Sequence, residues 1–104
     1  MIHLDETNLK LVKKILRFHL ENGEKVFAFG SRVTGVRLKS HSDLDLCVKG
    51  AEPLPDRVLV GLRDFFAISD LPMRVDVIDW AATAPHFQEI IEKNCEELNF
   101  QEKA

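Results

Sequence analysis

Residues 29–46 read F-G-S-R-V-T-G-V-R-L-K-S-H-S-D-L-D-L, and how this stretch is read decides the fold. The apolar run Val26-Phe27-Ala28-Phe29 leading into it has the length and composition of a short buried strand. Gly30 is where the backbone can turn sharply or come close to a ligand. Ser31 then opens a short helix, whose unpartnered N–H groups attract anions such as phosphate. Further on, Asp43 and Asp45 lead into a second apolar run, Leu44 to Val48. Residues two apart on a strand point the same way, and their Cα atoms lie roughly 6–7 Å apart at about 3.3 Å of rise per residue. Two carboxylates so placed suit one shared divalent cation or a pair of them. A phosphate cradle facing such a pair is a layout for moving phosphoryl or nucleotidyl groups.

Outward from this stretch, the chain alternates helices and strands. Residues 5–22 are predicted as an amphipathic helix, because Leu9, Val12, Ile15, Leu16, His19 and Leu20 recur at helical spacing. Asp5 is its expected N-cap and Asn22-Gly23 its stop. Lys10, Lys13, Lys14 and Arg17 fall mostly on the other faces, as a solvated basic surface or a phosphate- or RNA-contacting one. His19, with no second ligand at metal spacing, reads as a packed or rim histidine. After the Gly-Ser turn, the short helix is expected to end between Gly35 and Leu38, and Lys39 to Ser42 form a polar loop. On the strand that follows, Leu44, Leu46 and Val48 face the core while Asp43, Asp45 and Cys47 share the opposite face. Gly50 to Pro55 is a loop by composition. Asp56 caps a second long helix, carrying Val58, Leu59, Leu62, Phe65 and Phe66 to about Ser69, and Asp70-Leu71-Pro72 ends it. A third strand, Met73 to Ile78, puts Arg74, Asp76 and Ile78 on one face and Val75, Val77 and Asp79 on the other. The last helix enters at Pro85 with the stripe Phe87, Ile90, Ile91, Cys95 and Leu98, and a polar tail follows Phe100.

With 104 residues the chain is expected to be one domain, residues 1–104, with a modest core. Apolar content of 45% and charged content of 30% match an ordinary globular protein rather than a disordered one. A net charge of −3 argues against a general nucleic-acid coater, which carries a basic face. There is no signal-peptide core and no run of about 18 apolar residues, so membrane insertion is not expected and cytoplasmic residence is. Cys47 and Cys95 have no metal spacing and read as free thiols. A Walker-type loop would need G-x-x-x-x-G-K-[ST], whereas Gly35 here is followed by Val36-Arg37. A hydrolase elbow would need G-x-S-x-G, which F-G-S-R-V is not.

The segments G-S-R-V-T-G, S-D-L-D-L and M-R-V-D-V-I-D, in that order, resemble the signature of the DNA polymerase beta-like nucleotidyltransferase superfamily. More narrowly, the short chain resembles the minimal nucleotidyltransferases often encoded beside a HEPN-type partner in toxin–antitoxin pairs. The resemblance spans Val26 to Asp79. It implies an α/β (α+β) nucleotidyltransferase fold, a small mixed sheet covered by helices. It also implies that Asp43, Asp45 and Asp76 hold two Mg²⁺ ions and carry catalysis. Gly30 and Ser31 would hold the β- and γ-phosphates of ATP, with Arg32 and Ser42 as further nucleotide contacts. Ser42 also has the alternative of bonding its own loop. Arg37 and Lys39 have open roles. Asp79 matches the pattern less well than Asp76 and reads as a cap of the strand end or a solvent-facing carboxylate.

A catalytic core of this kind uses nearly the whole chain, leaving no part to recognise an elaborate acceptor. The implied reaction is transfer of AMP from ATP to a hydroxyl, a tyrosine of a HEPN-type ribonuclease toxin, with this chain as the antitoxin. The alternative is a weakly catalytic or non-catalytic module that inhibits the partner by occlusion. Transfer to a small molecule is a third reading, although such relatives carry an added helical domain. Self-association is compatible with the sequence. Tyrosine self-modification is not, since the chain contains 0 tyrosines.

Overall fold

A computed structural model describes residues 2–101. The strands are β1 (Lys25–Phe29), β2 (Leu44–Lys49), β3 (Val75–Asp79) and β4 (Cys95–Glu97), and the helices α1 (Glu6–His19), α2 (Ser31–Thr34), α3 (Asp56–Ile68) and α4 (Pro85–Lys93). The sheet has the order β3-β2-β1-β4. β1 is antiparallel to both β2 and β4, whereas β2 and β3 run parallel. The expected mixed sheet covered by helices is therefore present.

Alternation along each strand divides the sheet into two faces. Val26 and Ala28 of β1, Leu44, Leu46 and Val48 of β2, and Val77 of β3 point into one core. α1 and α3 close that core with Val12, Ile15, Leu16, Leu62 and Phe66, all of them buried. α1 starts where the sequence predicts, the Asp5 side chain accepting from the Asn8 N–H at 2.8 Å. It ends earlier than Asn22, with Leu20 as C-cap. α3 is preceded by Pro55 and has no side-chain cap; Asp56 lies instead inside its first turn, where a negative charge still meets the positive helix end. His19 sits edge-on to Phe18 and Phe65 on the rim of these helices, its Nδ1 donating to the Ile15 carbonyl at 2.8 Å.

The opposite face carries Phe27 and Phe29, then Asp45 and Cys47, then Asp76 and Ile78, in register across three strands. α4 lies over it, and Phe87 meets Phe29 edge-to-face at 5.9 Å between centroids. After β3 a 3-10 turn (Trp80–Ala82) brings the Trp80 ring under Lys49, whose Nζ is 4.6 Å from its centroid. The Asp79 carboxylate caps this turn, accepting from Ala81 N–H at 3.3 Å and from Leu54 N–H at 3.1 Å. It is buried, so the strand-end role holds and the solvent-facing one does not.

The chain departs from its local pattern at the last helix, which stops at Lys93 rather than running through Cys95 and Leu98. Asn94 leaves helical geometry at φ −143° and ψ 65°, and Cys95–Glu97 form β4 against the open edge of β1. An unpaired edge leaves a row of backbone donors and acceptors without partners. β4 covers that row, and Leu98 N–H continues it onto the Val26 carbonyl at 2.8 Å. Leu98 and Phe100 are each 2% exposed, buried in the main core rather than along a helix stripe. Arg17 holds the Phe100 carbonyl at 3.1 Å. The polar tail expected beyond Phe100 lies, from residue 102 onward, outside the described residues.

Candidate active site

Phe29, Asp45 and Asp76 are neighbours in one row of the sheet, because Phe29 pairs with Asp45 and Asp45 with Asp76. Adjacent strands lie about 4.8 Å apart, so two carboxyls stand side by side on the same face. Asp43 precedes β2 by a single residue and is exposed at the mouth of the same row. Burial pushes the Asp45 carboxyl up from 3.8 to about 6, and the charges of Asp76 and then Asp43 add to the effect. The three acids are thus in electrostatic reach of one another, with Asp45 at the centre. Asp76 has a cationic neighbour of its own, Arg74, whose Nε donates to Oδ1 at 3.1 Å.

Gly30 stands directly over this group. Its φ of 81° and ψ of −159° belong to a region that only glycine enters freely. A Cβ at this position would overlap Asp45 Oδ2. Conformation and close approach thus both demand glycine, and the turn lies against the central carboxylate. α2 follows, with Val33 and Thr34 N–H groups bonded to the Gly30 carbonyl and the chain released by Gly35 in the left-handed region. The N–H groups of Ser31 and Arg32, at the start of the helix, lack intrahelical carbonyls and are available to an anion.

Arg32 does not reach toward the carboxyls. It is buried, and its Nε donates to Ser42 O at 2.8 Å, Nη1 to His3 O at 2.8 Å and Nη2 to Ser40 O at 3.3 Å. The Ser42 hydroxyl accepts from Lys39 N–H at 2.8 Å, closing the loop. Arg37 and Lys39 are exposed on that loop, and Arg37 has φ 56°.

A cleft of about 780 Å³ opens beside Asp45 and Asp76. Phe29 and Phe87 are among its apolar lining, and it continues around the edge of β3 to Arg63 of α3. Arg63 donates from Nε at 3.1 Å and Nη2 at 2.9 Å to the Val77 carbonyl on that free edge. Nothing in the sequence marks these three as site residues. Phe29 and Phe87 look like core positions in their own elements, and Arg63 looks like an exposed helix residue. Only the packing of α3 and α4 against the sheet brings them around one cleft.

No three His, Cys, Asp or Glu side chains among the described residues close around one metal position. The donor set is nevertheless suitable for a hard cation. It consists of carboxylate oxygens, and their mutual repulsion at Asp45 is of the kind a bound cation relieves. Magnesium commonly takes only one or two protein carboxylates and fills its shell with water and substrate phosphates.

Three comparisons bear on this arrangement. A protein of Haemophilus influenzae described as a probable protein adenylyltransferase MntA is 45% identical over 92 residues, which is 88% of this chain and 79% of that one. Among solved structures, a toxin–antitoxin complex with AMP-PNP matches at a TM-score of 0.72 and 24% identity, covering 88% of this chain and 71% of that one. A complex of tri-AMPylated Shewanella oneidensis HEPN toxin with MNT antitoxin matches at 0.69 and 22% identity, covering 91% and 71%. At these identities the two structures speak for the fold. The nucleotidyltransferase domain profile matches residues 9–103, from α1 past β4. With the glycine turn laid on a carboxylate row and nearly the full length matched, the chain belongs to the nucleotidyltransferase domain family.

Proposed function

We propose that this chain transfers the AMP moiety of ATP to a tyrosine hydroxyl of a HEPN-type toxin, and thereby acts as its antitoxin in the cytoplasm. The observation that carries the reading is the row formed by Asp45 and Asp76 beneath Gly30, with Asp43 at its mouth. The H. influenzae relative, described as an adenylyltransferase, and the AMPylated toxin complex among the structural neighbours support the choice of nucleotide and partner.

In this reading the acceptor oxygen forms a bond to the α-phosphorus while the bond from that phosphorus to the bridging oxygen breaks, releasing pyrophosphate. The start of α2 receives the terminal phosphates on the N–H groups of Ser31 and Arg32 and the Ser31 hydroxyl. Gly30, lacking a side chain, lets the turn that receives those phosphates lie against Asp45. Two magnesium ions shared among Asp43, Asp45 and Asp76, each taking one or two of these carboxylates, would supply positive charge against the phosphate oxygens. Asp76 stands on the acceptor side and takes up the hydroxyl proton; Arg74 on its Oδ1 leaves the second oxygen for that purpose. Phe29 and Phe87 line the wall on which a flat ring can rest.

The test is to incubate chain, toxin partner, ATP and Mg²⁺ and weigh the partner. A gain of one or more adenylyl groups, absent with Asp45→Asn, is expected. An unchanged partner mass under conditions where the chain binds ATP would sink the proposal.

A further inference from the structure

Arg32, Glu24 and Asp79 are the buried charged residues among those described, and Arg32 is the cation of the three. Burying a guanidinium costs free energy unless its donors are met. Here they are met by three neutral backbone carbonyls, those of Ser42, His3 and Ser40. No carboxylate lies within ion-pairing distance of it among the described residues. The rigid fork of an arginine holds several acceptors in fixed relative positions, which an ammonium cannot do.

What it holds is a segment with little to hold itself. Residues 39–43 belong to no helix or strand, and their own bonds are Ser42 N–H to Lys39 O at 3.1 Å and Lys39 N–H to Ser42 Oγ at 2.8 Å. The Ser42 carbonyl gripped by Arg32 belongs to the peptide group leading into Asp43. Asp43 itself is exposed, and its side chain is held by no hydrogen bond or ion pair among the described residues. Its place is therefore set through the backbone behind it. Arg32 is anchored in turn, because its own carbonyl accepts from His3 N–H while its Nη1 donates back to His3 O.

We infer that Arg32 is a positioning residue: its guanidinium ties Ser40 and Ser42 to α2 and the N-terminal segment, so that Asp43 stands beside Asp45. The guanidinium does not serve as a phosphate ligand. The catalytic meaning of this role rests on the function proposed above; the structural meaning does not.

The experiment compares wild type, Arg32→Lys, Arg32→Ala, Asp43→Asn and the Arg32→Ala/Asp43→Asn double variant. The readouts are hydrogen–deuterium exchange across residues 38–43 and Mn²⁺ binding by calorimetric titration, with melting curves to confirm folding. The Ser42 amide is expected to exchange about tenfold faster in Arg32→Ala and severalfold faster in Arg32→Lys, with β1 and β2 unchanged. Mn²⁺ affinity is expected to fall about tenfold in both Arg32→Ala and Asp43→Asn, and no further in the double variant, because both changes remove the same ligand. Should Arg32→Ala fail to fold, Arg32→Lys carries both readouts. Unchanged loop exchange in a folded Arg32 variant overturns the inference. So do Mn²⁺ losses that add. If wild type takes up no Mn²⁺ yet the Arg32 variants loosen the loop, Arg32's positioning role stands and the metal reading falls.

Discussion

Asp45 carries a cost that the free protein bears and the loaded protein would not. Its carboxyl holds a proton up to about pH 6 in the folded chain, against a reference of 3.8. Between those values the native state binds more protons than the unfolded one, so stability from this group is greatest at low pH and falls as pH rises through the window. Asp45→Asn removes the penalty. In the absence of divalent cations it is expected to stabilise the protein by about 1–2 kcal/mol at pH 7, after discounting for solvent screening. That gain should vanish near pH 4, and nucleotide transfer should be lost at every pH. Urea denaturation of both proteins at the two pH values reads the difference; a gain at pH 4 equal to that at pH 7 would show that ionisation is not its source. Gly30→Ala meets two obstacles at once, a φ of 81° and an overlap with Asp45 Oδ2. The expected cost is about 1–3 kcal/mol, together with loss of transfer, read by thermal melting and by partner mass. An alanine variant with wild-type stability would mean the turn relaxes without touching Asp45.

At the scale of elements, the C-terminal segment is the part whose loss should be felt most widely. Phe100→Ala empties a buried site and is expected to cost about 3 kcal/mol, seen as a lowered denaturation midpoint. Faster amide exchange along β4 and along β1, where the two strands pair, should accompany it. A midpoint within experimental error of wild type would show that Phe100 is not part of the cooperative core. This segment is also where local reading of the sequence stops working. Phe87, Ile90, Ile91, Cys95 and Leu98 continue a helical spacing, yet Ile90 is 50% exposed and the helix ends at Lys93. The competing interaction is the open edge of β1, nearly seventy positions earlier, and no periodicity within the segment encodes a distant edge. The strands β1 and β2 were legible as short, mainly apolar runs bounded by turn residues, and β3 as β-branched residues alternating with polar ones. The carboxylate row was legible in part: spacing puts Asp43 with Asp45, but only the parallel register of β2 and β3 sets Asp76 at Asp45's side. Arg32 was misleading for a related reason. A cation two residues after the glycine turn looks directed at phosphate, and its burial behind a loop is visible only in three dimensions.

For the whole molecule, the question is whether neutralisation of a partner depends on chemistry or on contact. α1 and α3 present an apolar groove on the side away from the carboxylates, with Phe18 71% and Ile68 79% exposed, far more than isolated core leakage would leave. The double variant Asp43→Asn/Asp45→Asn keeps that surface and removes the carboxylate pair. If transfer is the mechanism, a toxin coexpressed with this variant should regain its ribonuclease activity at least tenfold relative to coexpression with wild type, measured on purified complexes. Full inhibition by the variant would instead assign neutralisation to occlusion. The chain itself has a simple optical signature. The chain holds 1 tryptophan and 0 tyrosines, and that indole lies beneath Lys49 where β3 runs out. Its near-ultraviolet emission therefore comes from a single address at the end of the strand bearing Asp76. Every phenol absorbance in a mixture belongs to the partner, because this chain has none to contribute.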